Sequence, residues 1–112
     1  MWTVGWLLRD GEDLASLEVA DSRRARSRGL LGRDGVDGAL LLRPCRSVHT
    51  LGMRFPIDVA FCDDDLQVLR VVTMHRHRLC RPVLRSKVVI EAEAGAFARW
   101  SLRPGDKLEV KG

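Results

Sequence analysis

The sequence predicts a mainly β, single-domain fold across residues 1–112: an antiparallel β-sandwich or barrel-like arrangement with one or two short helices. Three observations carry that expectation. About seven short runs rich in Val, Leu and Ile are punctuated by Gly, Pro and Asp at strand-like spacing. No long amphipathic helix alternates with those runs, which speaks against a doubly wound α/β fold. The chain is 112 residues long, 46% hydrophobic and 30% charged, enough for one core that needs neither metal nor disulfide to fold.

The elements follow in order. Residues 3–9 and 14–20 flank Asp10-Gly11, a tight-turn signal, and form an opening hairpin. In "DSRRARSRGLLGRDGVDG", Asp21 or Ser22 caps a short helix with Ala25, Gly29 and Leu30 on its inner side. Gly29, Gly32, Gly35 and Gly38 then break it into a loop. "ALLLRP" is a strand ended by Pro44. "SVHTLGMRF" and "IDVAFC" are expected as two strands, or one bent strand, interrupted at Gly52 and Pro56. "LQVLRVVTM" and "KVVIEAEAG" are strands on either side of the irregular basic segment "HRHRLCRPVLRS". "AFARWSL" allows one or two helical turns, "RPGD" has type II turn chemistry, and "KLEV" is the last strand.

At "RARSRGLLGR" followed by "PIDVAFCDDDLQV", the chain resembles the domain-of-unknown-function 192 family of bacteria and archaea. The shared features are the helix end from Arg26 to Arg33 and the Pro-Ile-Asp strand entry from Pro56 to Asp58. Pro82, Glu91, Gly95 and Gly105-Asp106 fit as well, so the resemblance covers residues 18 to 110. It implies a compact, mostly-β sandwich fold and supplies no activity. Many members carry an aromatic, Met, Lys, Asn, Thr series before the Pro-x-Asp. Residues 48–53 here are Val-His-Thr-Leu-Gly-Met, so His49 and Thr50 bring different chemistry to that stretch.

Alternation along an extended strand puts Ile57, Val59 and Phe61 on one face and Asp58, Ala60 and Cys62 on the other. The second face is small and apolar apart from Asp58, so it is expected to be covered. A covered aspartate needs donors. Arg26, Arg33 and backbone N–H groups of the glycine loop are the candidates, which makes Asp58 a structural anchor supported by Arg33, Gly29 and Pro56. The candidate ligand site lies at the strand break between Gly52 and Pro56 and is lined by His49, Thr50, Arg54 and Arg26. The domain is expected to be a ligand-binding or interaction module, and the expected occupant of this cleft is a small anionic or sugar-like ligand. An alternative is a small enzyme in which His49 and Asp58 act as a base and its orienter.

Other chemistries fit the residues less well. Cys45, His49, His75, His77 and Cys80 offer ligand types for a metal, but their spacing is not that of paired zinc ligands and arginines surround them. No metal or other cofactor is expected. Arginine supplies sixteen of nineteen Lys and Arg residues, and the net charge is +4. The arginine clusters at residues 23–28 and 76–85 lack an aromatic platform for bases, so nucleic acid is the lesser reading. No apolar run approaches the ~20 residues of a membrane span. Together with three unevenly spaced cysteines and no signal-peptide pattern at the N-terminus, this leads to a cytoplasmic expectation with no membrane partner. Walker-type, G-x-S-x-G and G-x-G-x-x-G motifs are absent from the sequence.

Overall fold

The computed structural model describes residues 2–112, with side chains described from Val4 onward. The opening hairpin forms as expected: β1 (Trp2–Arg9) and β2 (Glu12–Ala20) pair antiparallel. Asp10 and Gly11 both take positive φ, 55° and 79°, the geometry that a two-residue hairpin turn demands. Ser22 caps α1 (Arg23–Arg28) by accepting from the Ala25 N–H at 3.1 Å. The remaining strands are β3 (Ala39–Leu42), β4 (Ile57–Cys62), β5 (Val68–Met74), β6 (Val88–Glu93) and β7 (Glu109–Lys111). A single-turn helix, α2 (Ala96–Arg99), follows β6.

The seven strands make one mixed sheet in the order β5-β4-β6-β3-β2-β1-β7. Every neighbouring pair is antiparallel except β2 and β3, which run parallel. The reason is the long connection through α1 and the glycine loop, which gives the chain room to cross back before β3. The C-terminal segment ties the two sheet edges together. Val68 donates to Asp106 O at 2.8 Å and Leu108 to Leu66 O at 2.9 Å, and the same segment then pairs with β1 as β7. The sheet therefore curls into a barrel, closed where the C-terminal segment pairs with the start of β5.

Two apolar layers result. Leu7, Leu17, Leu41, Ala60, Cys62, Val68, Val88 and Ile90 fill the barrel, and Phe97 and Leu102 near α2 join them. Leu40, Leu42, Ile57, Val59, Phe61, Met74 and Val89 form the outer layer, covered by Ala25, Leu30, Val48, Met53 and Phe55. All of β4 is buried because both of its faces are covered. Alternation in "IDVAFC" thus separates inside from outside, not core from solvent.

One expected strand is absent. Residues 47–55 form a loop, with only an isolated bridge between His49 and Leu79. Gly52 turns the chain at φ 77°, and the Thr50 N–H and C=O bond to Arg78 O at 2.8 Å and His77 N at 2.9 Å. The backbone groups of this stretch are satisfied by another loop, so they join no strand of the sheet.

Candidate functional site

A cavity of about 80 Å3 lies outside the barrel, between β6, the end of α1 and the loop 45–53. Glu91 forms part of its wall, with Gly29, Leu42 and Ile57, while Arg26, Cys45 and His49 also line it. The pleat explains Glu91. It stands opposite Leu40 and Val59, both outer-layer residues, so its side chain leaves the barrel and enters the space beneath Gly29. Gly29 takes φ 49° and ψ −128°, which a residue with a Cβ adopts only under strain. An added Cβ there would lie 3.8 Å from Glu91 Oε1, so the end of α1 roofs the carboxyl closely.

Glu91 is 5% exposed, and no described residue donates a hydrogen bond to it. Burial alone pushes its carboxyl up to about 7. Near neutral pH the group is poised between donor and acceptor forms. Cys45, on the cavity wall, donates to Ser47 O at 3.3 Å. Burial raises its thiol and the nearby Glu91 charge adds to this, against the backbone hydrogen bond at Ser47 and the weaker pull of Arg26. A thiol held protonated in this way is a poor nucleophile.

The four expected ligand residues separate into two pairs. Arg26 and His49 line the cavity. The Arg26 guanidinium donates to Asp21 O at 2.8 Å and Arg43 O at 3.3 Å, and His49 Nδ1 accepts from Leu51 N at 3.3 Å. Thr50 and Arg54 are not on the cavity wall. Thr50 is fully buried, donating to His75 O at 2.6 Å and accepting from Arg78 N at 2.8 Å, so it pins one loop to another. Arg54 is exposed and pairs with Asp34 at 2.9 Å. The difference follows from the loop at 47–55: without strand alternation, these side chains do not share a face.

Asp58 lies on the opposite side of β4, with Ala60 and Cys62. Its carboxylate accepts from Thr73 Oγ1 at 2.7 Å, Gly95 N at 2.9 Å and Phe97 N at 3.1 Å. The donors therefore come from β5 and the α2 entry, not from Arg26 or Arg33. Arg33 bonds Glu18 at 2.8 Å instead. The face of β4 decides this, because both arginines belong to the outer layer. It also separates Asp58 from His49, and the proposed base-and-orienter pair does not form. Pro56 is exposed and accepts from Ala94 N at 3.3 Å.

Glu91 is the site residue that sequence reasoning missed. Its signal was an acid inside "KVVIEAEAG", within a run otherwise buried through Ala92. For metals, the described residues contain no group of three or more His, Cys, Asp or Glu arranged to hold an ion.

The family model of DUF192, described as "Uncharacterized ACR", matches residues 7–110. The chain belongs to the DUF192 family. A UPF0127 protein of Pyrococcus abyssi is 29% identical over 98 residues, covering 83% of this chain and 84% of that protein. A crystal structure of a protein of unknown function from Novosphingobium aromaticivorans DSM 12444 superposes with a TM-score of 0.77 at 18% identity, covering 96% of this chain and 84% of that one. Another, from Sinorhizobium meliloti 1021 and described as a candidate transcription regulator, gives 0.78 at 22% identity, covering 98% and 94%. These two likenesses establish the fold alone. Within the DUF192 family, the chain is an uncharacterised mainly β domain.

Proposed function

We propose that this DUF192 domain is a binding module for a small, hydroxyl-rich ligand, sugar-like or a hydroxy acid, whose end enters the cavity beside Glu91. The observation that supports it is a buried carboxyl facing that space with no described donor. No fully buried side-chain oxygen among the described residues lacks a partner, so the Glu91 oxygens keep contact with the cavity space, where a ligand hydroxyl can take the place of water. Arg26 and His49 stand at the wall to receive an anionic or polar group of the same ligand. The volume limits the buried part. A cavity of ~150 Å3 holds benzene, so about 80 Å3 admits only a few heavy atoms and excludes a nucleobase.

In this reading Gly29 shapes the roof, Arg33 fixes the loop behind it to β2, and Pro56 and Asp58 set the position of β4. The three free thiols suit a reducing cytoplasm.

Differential scanning of the purified protein against polyols, sugars, sugar acids and hydroxy acids tests the proposal. A true ligand at a hundred times its Kd raises the melting temperature by about 10 °C. Glu91→Leu, which keeps most of the side-chain volume and removes both oxygens, reduces that affinity at least about tenfold, the loss expected when a hydrogen bond to a charged group disappears. A panel without any stabiliser, or a ligand bound equally by the variant, overturns the reading.

A further inference from the structure

The loop joining β5 to β6 combines two independent features. Its charge is of one sign. From Leu66 to Ile90 the sequence holds Arg70, Arg76, Arg78, Arg81, Arg85 and Lys87, and no Asp or Glu. Arg76, Arg78, Arg81 and Arg85 are exposed, and the ion pairs among the described residues lie elsewhere, at Arg9–Asp106, Arg33–Glu18 and Arg54–Asp34. The same loop also shows solvent the two most exposed large apolar side chains among the described residues, Leu79 at 77% and Leu84 at 78%.

The loop is fixed in place. Cys80 N donates to Val48 O at 3.2 Å and Val83 N to Arg46 O at 2.8 Å, while Thr50 holds His75 O and Arg78 N from beneath. Gly52 N donates to His77 Nδ1 at 3.2 Å. These bonds bring a second stretch alongside, residues 43–49, which carries Arg43 and Arg46 and no acid. At the far end Lys87 N meets Cys62 O at 2.9 Å, next to the acidic turn at Asp63–Asp65, so the basic, apolar stretch proper is 76–85.

We propose that residues 76–85, with Arg43 and Arg46 beside them, dock this protein on an anionic lipid surface. Arginines attract the headgroup phosphates, and Leu79 and Leu84 enter the boundary between headgroups and acyl chains. Nucleic acid would use the charge but not the leucines, and the stretch contains no aromatic residue on which a base could stack. This departs from the expectation of no membrane partner, which rested on the lack of a spanning segment; surface docking needs none, and no helix among the described residues is long and apolar enough to cross a membrane.

Flotation of the full chain with phosphatidylcholine vesicles, with and without phosphatidylglycerol, is the test. The expected result is retention by the anionic vesicles alone, weakening as salt is added. Leu79→Ser with Leu84→Ser lowers the partition coefficient at least about tenfold at fixed salt, with an unchanged melting temperature because both side chains are in water. Three results overturn the proposal: no retention by anionic vesicles, retention that ignores the leucine replacements, or binding to a DNA duplex in place of vesicles.

Discussion

Asp58 and Glu91 are one register position apart on neighbouring strands, Asp58 opposite Ala92 and Glu91 opposite Val59. They are almost equally buried, at 3% and 5% exposure. The pleat sends them to opposite sides of the same sheet. Asp58 meets three donors at the α2 end of the barrel, and Glu91 meets a cavity. Burial by itself therefore does not tell a structural acid from a site acid. The number of donors that the fold supplies does, because an acid left without them lowers stability and needs another reason to be present.

The comparison is most exposed to failure at Asp58. Replacing it with Ala removes acceptors from the Gly95 and Phe97 N–H groups and from Thr73 Oγ1. Thr73 is exposed and can turn to water, whereas Phe97 is buried and its N–H has no such recourse. Asp58→Ala is expected to lower unfolding stability by about 4 kcal/mol, from charged hydrogen bonds lost and a buried donor orphaned. Urea denaturation at neutral pH measures it. A loss below about 1 kcal/mol would mean that the three bonds contribute little and that the contrast with Glu91 is empty.

Glu91→Gln should act in the opposite direction and depend on pH. The folded carboxyl titrates at about 7 against an ordinary 4.5. Between those values the native state keeps a proton that the unfolded chain has released, so stability falls as pH rises through this window. Below 4.5 both states hold the proton and the difference vanishes. Above about 7 the full shift applies, about 3 kcal/mol of destabilisation that glutamine does not suffer. The variant is expected to match the wild type near pH 4 and exceed it by up to that amount near pH 8. Parallel stability curves across the range would show that Glu91 is solvated or paired in solution, and the site reading would fall with it.

Much of the framework is visible in local chemistry. Asp10-Gly11 announces the first hairpin, Ser22 the helix cap, and the alternation of "IDVAFC" the two faces of β4. What local chemistry lacks is the identity of distant partners. The apolar spacing of Leu51, Met53 and Phe55 satisfies a strand pattern, yet the chain turns at Gly52 and bonds to residues 75–80. Arg26 and Arg33 are reasonable donors for a covered aspartate, but the donors that reach Asp58 come from residues 73, 95 and 97. Glu91 stands near the end of a strand where charged residues begin, which resembles a strand running out to solvent. Only the return of α1 and the loop 45–53 over β6 buries it, and that packing is not encoded in any short window. The parallel pairing of β2 and β3 is likewise a matter of connection, since either direction buries Leu41 equally well.

The smallest effect tests the other half of the contrast, that donors matter because water is excluded. Arg54 and Asp34 form a good ion pair at 2.9 Å, but their side chains are 60% and 89% exposed. Water solvates each charge nearly as well as the partner does, and holding two long side chains together costs entropy. Arg54→Ala should therefore change stability by no more than about 0.5 kcal/mol, with any change shrinking as salt is added. Thermal unfolding at low and high salt checks both statements. A change comparable with that of Asp58→Ala would show that partner number governs stability irrespective of burial. Glu91, with no donor among the described residues, would then be an ordinary weak point in the fold, and its place in the cavity wall would carry no functional meaning.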